Sequence, residues 1–67
     1  MLREINLEFS EVTARYPEES LSEAGQKFRK EFPGCALHVY FHTGGTVRGI
    51  SALCNSEDAE MLFRLKW

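Results

Sequence analysis

A chain of 67 residues with 43% apolar and 27% charged side chains has the make-up of one small globular domain, which buries only about 60% of the surface its unfolded chain exposes. That size excludes a roomy catalytic cleft, and a formal net charge of -2 with 8 dispersed basic residues excludes the concentrated positive footprint of a sequence-specific nucleic-acid binder. No apolar run approaches the roughly 18 residues of a membrane span, so a cytoplasmic protein with no membrane partner is expected.

The opening Met1-Leu2-Arg3-Glu4-Ile5 enters a charged alternating pattern in place of a signal-peptide core. Ile5, Leu7 and Phe9 alternate with Glu4, Asn6 and Glu8, which predicts a strand with one buried face. Ser10 to Tyr16 reads as a polar connection, and Pro17 suits the first position of a helix because its fixed φ fits there. Ser20 and Glu23 supply a capping box if that first turn frays. Leu21, Ala24, Gly25, Phe28 and Phe32 form one helical stripe, on which Gly25 implies close packing against a sheet. Pro33-Gly34 ends the helix.

From Cys35 to Phe41 the alternation resumes, and Thr43-Gly44-Gly45-Thr46 predicts a two-residue hairpin turn, because a type I′ turn needs positive φ at both central positions. Pairing then runs Phe41 with Arg48, Tyr40 with Gly49, Val39 with Ile50, His38 with Ser51 and Leu37 with Ala52. One face carries Leu37, Val39, Phe41, Ile50 and Ala52, with Arg48 near the turn; the other carries His38, Tyr40, His42, Val47 and Ser51. Tyr40 is expected to cover the bare Gly49. Asn55 or Ser56 caps a last helix whose core stripe is Ala59, Leu62 and Phe63. The predicted fold is a single α+β domain of order β-α-β-β-α, two helices packed on one face of a three-stranded sheet. Whether the first strand lies beside the second or the third is left open by the pattern.

Histidine is the first suspect for a metal ligand or general base. His38 and His42 are separated along a strand by about 13 Å, too far to share an ion. Ser51 opposite His38 would begin a triad, but a flat sheet face offers no oxyanion hole. No catalytic residue, metal or cofactor is expected, and His38, Tyr40 and His42 remain as a secondary interface candidate. Thr43-Gly44-Gly45-Thr46 lacks the spacing of a phosphate-binding loop. Cys35 and Cys54 pair on the core side. Counting from the two-residue turn puts them at a hydrogen-bonded position, the wider antiparallel type, so two buried reduced thiols are expected.

The last helix carries more apolar surface than a core stripe requires. Met61, Leu65 and Trp67 extend the arc, leaving Glu57, Glu60 and Arg64 as a narrow polar strip. Either Trp67 folds back on the core, or this surface meets a partner or a second copy of the chain as a homodimer.

The stretch from Phe28 to Trp67 resembles the DinI-like family of small bacterial and phage proteins, named for the DNA-damage-inducible protein I. The shared features are an early strand, a helix ending in Phe32-Pro33, Val39 with Tyr40 in a second strand, a short turn and a last strand containing glycine. A final helix that begins with Glu57, Asp58 and Glu60 and reaches Trp67 completes the resemblance. It implies a β-α-β-β-α fold and a non-enzymatic role, binding a RecA-type recombinase filament and tuning the DNA-damage (SOS) response. By position, Glu57, Asp58 and Glu60 would supply the acidic ridge that engages the recombinase; Met61, Arg64, Leu65 and Trp67, singled out by the pattern of the last helix itself, complete the partner-binding candidates. Family members continue past the tryptophan into a further acidic segment, whereas this sequence stops at Trp67, so only part of that negative surface is expected. The alternative is a phage or mobile-element protein of the same fold that self-associates or inhibits another host factor through the last helix.

Overall fold

A computed structural model describes residues 2–67. Three antiparallel strands and three helices follow in the order β1 (Arg3–Leu7), α1 (Phe9–Arg15), α2 (Leu21–Glu31), β2 (Cys35–Phe41), β3 (Val47–Cys54) and α3 (Glu57–Lys66). The chain is therefore α+β as expected, but the order is β-α-α-β-β-α and the helices number three. The polar connection predicted from Ser10 to Tyr16 is largely helical. Phe9 does not continue the strand; it opens α1 and is exposed. Val12 and Tyr16, one helical turn apart, take its place in the core. The Glu8 N–H donates to Glu11 Oε2 at 2.8 Å, which satisfies one donor at the start of α1.

α2 begins at Leu21 instead of Pro17. Ser20 Oγ accepts the Glu23 N–H at 3.2 Å, and Glu23 Oε1 accepts the Ser20 N–H at 3.1 Å, the reciprocal box that Ser20 and Glu23 made legible. Ala24, Phe28 and Phe32 are buried along its inner stripe. Gly25 is not forced by close packing: a Cβ there would meet nothing within 4 Å. α3 starts from Ser56, whose Oγ accepts the Ala59 N–H at 3.1 Å.

β3 is the central strand, flanked by β1 and β2 in the order β1-β3-β2. The core draws its strand residues from one face of this sheet: Cys35, Ile50, Ala52 and Cys54, with Ile5, Leu7, Leu37, Val39 and Val47 partly buried around them. Phe28, Phe32 and Phe63 close over that face, their ring centroids 4.9 to 5.7 Å apart in tilted and edge-on arrangements. Phe41, expected with this set, projects beyond it and is exposed.

The hairpin does not turn in two residues. His42 N–H donates to Thr46 O at 2.8 Å, Gly45 N–H donates to His42 O at 2.9 Å, and only Gly45 of the pair has positive φ. This is a three-residue loop, Thr43-Gly44-Gly45, ending in a left-handed glycine. Pairing slips by one residue near the loop, with Phe41 opposite Val47, and an irregularity next to Tyr40 restores Tyr40 opposite Gly49. Arg48 is the extra residue. A one-residue slip exchanges faces, so Val47 packs inward and Arg48 lies outside over Tyr40, the reverse of the sequence expectation for both.

Gly34, between α2 and β2, has φ +86°, and a Cβ there would approach Asn55 Oδ1 to 2.9 Å and Ala59 Cβ to 3.0 Å. Gly34→Ala is expected to lower unfolding free energy by about 2 kcal/mol, from left-handed strain plus the clash. Gly44→Ala, with neither strain nor a neighbour within 4 Å, should change it by less than about 0.5 kcal/mol. Urea unfolding of the two variants checks this.

Candidate functional site

The residues singled out from the sequence fall on two separate surfaces. The first is α3. Ala59 and Phe63 point into the core, and helical spacing sends Met61 to the opposite side, with Leu65 and Asp58 beside it and Leu62 on the flank. There Met61 is 57% and Leu65 83% exposed, and Leu62, expected in the core stripe, is 37% exposed. Trp67 does not join them. It folds back against Phe28, Phe32 and Phe63 at centroid distances of 5.8, 6.1 and 5.3 Å. The Arg15 guanidinium sits 5.0 Å from the Trp67 ring centroid and pairs with Glu31 Oε2 at 2.6 Å. Tyr16 donates its hydroxyl to the other Glu31 oxygen at 3.0 Å. Hydrogen bonding from Arg15 holds the Glu31 carboxyl below its ordinary range, assisted by Tyr16 and opposed by burial. This Arg15–Glu31–Tyr16 cluster ties α1 to α2 and clamps the end of α3. It is not legible in the sequence, because strand and helix periods compete from Phe9 to Tyr16 and conceal α1.

The three acidic residues at the start of α3 are not equivalent. Glu60 accepts from Arg3 Nη1 at 2.9 Å and pairs with Arg64 Nη2 at 3.0 Å, its side chain only 16% exposed. Its carboxyl is held below the ordinary value by the Arg64 hydrogen bond first and the Arg3 hydrogen bond second. Glu57 reaches Arg3 only at 3.9 Å, in solvent. Asp58 is exposed and forms no salt bridge among the described residues. Arg64, named as a contact residue, is exposed but engaged by Glu60. The free negative charge of this helix is thus Asp58 and, more loosely held, Glu57, one turn ahead of Met61 and Leu65.

The second surface is the sheet face turned away from the core. Tyr40 reaches across β3 and donates its hydroxyl to Glu4 Oε2 on β1. This hydrogen bond is the main reason that the Glu4 carboxyl lies below, and the Tyr40 phenol above, its ordinary value. Arg48 lies 4.9 Å from the Tyr40 ring centroid and His38 packs edge-on against the same ring at 4.5 Å. Ser51, only 1% exposed, donates to Asn6 Oδ1 at 3.1 Å. The serine opposite His38 is thus directed at Asn6 on the far strand and not at the imidazole. Tyr40 keeps its partner Gly49 in register, but a Cβ on Gly49 would meet nothing within 4 Å, so the ring is drawn towards Glu4 and does not lie on the glycine. His42 is exposed at the loop, where its N–H donates to Thr46 O. Around Glu4, Asn6, Tyr40, Arg48 and Ser51 the face is a shallow depression. Among the described residues no three His, Cys, Asp or Glu side chains gather closely enough to hold a metal ion.

Compared with protein-family models, with curated proteins and with solved structures, the chain matches none. Among the described residues no helix is long and apolar enough to cross a membrane.

Because the folded carboxyl of Glu60 titrates below its ordinary 4.5, its contribution to stability is complete above that value and is lost as pH falls through the lowered one. Glu60→Gln is expected to flatten the fall in thermal midpoint between about pH 5 and pH 3. Melts followed by circular dichroism across this range make the comparison.

Proposed function

We propose that this chain is a small non-enzymatic regulatory protein that docks on a protein partner through the outer side of α3, acting in the manner of the DinI-like proteins on a RecA-type recombinase filament. The observation that carries the reading is the exposure of Met61 and Leu65, at 57% and 83%, side by side on a helix whose other side buries Ala59 and Phe63 in the core. Large apolar side chains left in water on one helix face, rimmed by charge, are the anchors of helix-in-groove recognition. Asp58 and Glu57 lie one turn ahead of them, and Arg64 and Lys66 occupy the last turn, so the helix has an acidic start and a basic finish. A partner groove with apolar walls and basic residues where α3 begins fits this polarity.

The family-derived acidic ridge is narrowed by the ion pairs. Glu60, neutralised by Arg3 and Arg64, orients the helix, and Trp67 supports it from the core; contact energy comes from Met61, Leu62 and Leu65, with Asp58 and Glu57 steering the approach. The open Glu4–Tyr40–Arg48 face is already paired within itself.

The test is binding of the labelled chain to RecA-type filaments on single-stranded DNA. Met61→Asp with Leu65→Asp should weaken binding at least about tenfold. Glu57→Lys with Asp58→Lys should weaken it several-fold and reduce its dependence on salt. Absence of wild-type binding, or binding indifferent to both pairs, contradicts the proposal. Sedimentation of the free chain at rising concentration distinguishes a second copy as occupant of the same stripe.

A further inference from the structure

The hairpin that turns Arg48 outward also sets two thiols against one another inside. Cys35 and Cys54 are direct cross-strand partners on β2 and β3, both are buried, and their sulfurs stand 2.8 Å apart. Backbone phase explains the approach. His42 N–H donates to Thr46 O at 2.8 Å at one end of the ladder, and Asn55 N–H donates to Gly34 O at 2.9 Å at the other. Both mark hydrogen-bonded positions, so Cys35 and Cys54, one step in from Gly34 and Asn55, occupy a non-hydrogen-bonded position. Such pairs bring Cα atoms to about 4.5 Å and side chains closer than the alternate type, which lies within the span a disulfide requires. The two-residue turn expected from the sequence would have produced the opposite, wider phase.

We propose that Cys35 and Cys54 are an oxidation site, a buried dithiol that a low-molecular-weight disulfide of the glutathione type converts into an intramolecular bridge between β2 and β3. The thiolate of one cysteine attacks a sulfur of the small disulfide, forming a mixed disulfide and expelling one small thiolate. The second cysteine, as its thiolate, attacks the protein sulfur of that mixed disulfide; the sulfur–sulfur bond of the bridge forms and the second small thiolate leaves. The two protons lost by the cysteines end on the two released thiols, and the two electrons of the dithiol reduce the small disulfide.

Burial first, and the neighbouring Cys54 second, push the Cys35 thiol up to about 12, and with Cys35 5% and Cys54 0% exposed the closed fold gives a small disulfide no access to either sulfur. The first exchange therefore proceeds through opening of the hairpin, and the second follows before the sulfurs are buried again, made rapid because the intervening chain keeps the two cysteines at high effective concentration. Slow formation, no lasting mixed disulfide and strong resistance to reduction distinguish this site from an exposed redox sensor.

The experiment is incubation of the whole chain with oxidised glutathione, with and without sub-denaturing urea, followed by non-reducing intact mass and titration of thiols in denaturant. The expected product is a monomer without bound glutathione and without titratable thiols, formed faster in urea. Its thermal midpoint should lie roughly 10 °C above that of the reduced chain, and dithiothreitol should reverse the change. Cys54→Ser should instead retain glutathione on Cys35 after the same treatment. Lasting glutathione adducts on the wild type, disulfide-linked dimers, or two free thiols after incubation in urea would each overturn the proposal. The wild-type mass decides the matter even if the variant fails to fold.

Discussion

One irregularity in the β2–β3 hairpin governs how the rest of this molecule is arranged. A three-residue loop with Gly45 in the left-handed region ends the hairpin, and taken alone it would shift β3 by one residue and turn every side chain of that strand to the wrong face. The extra residue at Arg48 absorbs the shift. Beyond it, Ile50 and Ala52 lie beneath the aromatic rings and Ser51 lies on the opposite face. Val47 gains the core and Arg48 gains the Tyr40 ring. The same compensation sets the hydrogen-bonding phase of the ladder, so the contact between Cys35 and Cys54 and the outward network of Glu4, Tyr40 and Arg48 share one cause.

On the inner face the limiting quantity is apolar surface, which is scarce in a chain this short. Phe28, Phe32 and Phe63 supply most of the bulk, and Trp67 extends the stack by lying against Phe63 at 5.3 Å in a nearly parallel arrangement. Arg15 covers the outer side of Trp67 while Glu31 fixes Arg15. The far end of α3 is thereby tied to α1 and α2, and its first turn is tied to β1 through Arg3 and Glu60. Such a helix presents Met61, Leu62 and Leu65 on a fixed backbone, which lowers the conformational cost of any contact they make.

Elements whose signals are local were legible. The period-two stretches at Ile5–Leu7 and Leu37–Val39, the stripe of Ala24, Phe28 and Phe32, and the Ser20–Glu23 and Ser56 caps all appear where residue types alone place them. α1 is hidden because Phe9 also fits a third strand position; Phe9, Val12 and Tyr16 fit a helical spacing equally well, and the competition between the two periods conceals it. The bulge did leave a trace: the two-residue turn required Arg48 on the apolar face and Val47 on the polar one, a double misfit that a one-residue slip removes. The division of labour among Glu57, Asp58 and Glu60 was not legible, because it depends on β1 lying beside β3 and carrying Arg3 to α3. For the same reason the meeting of Glu4 with Tyr40 could not be read before the strand order was known.

The most direct test of this account is the phase of the β2–β3 ladder, read from cross-strand Hα–Hα Overhauser contacts in solution, which are strong only at non-hydrogen-bonded pairs. Contacts between Cys35 and Cys54, Leu37 and Ala52, and Val39 and Ile50 are the expected result. Contacts between Ala36 and Leu53 and between His38 and Ser51 in their place would mean that the double glycine turns in two residues, and would contradict the account at its root.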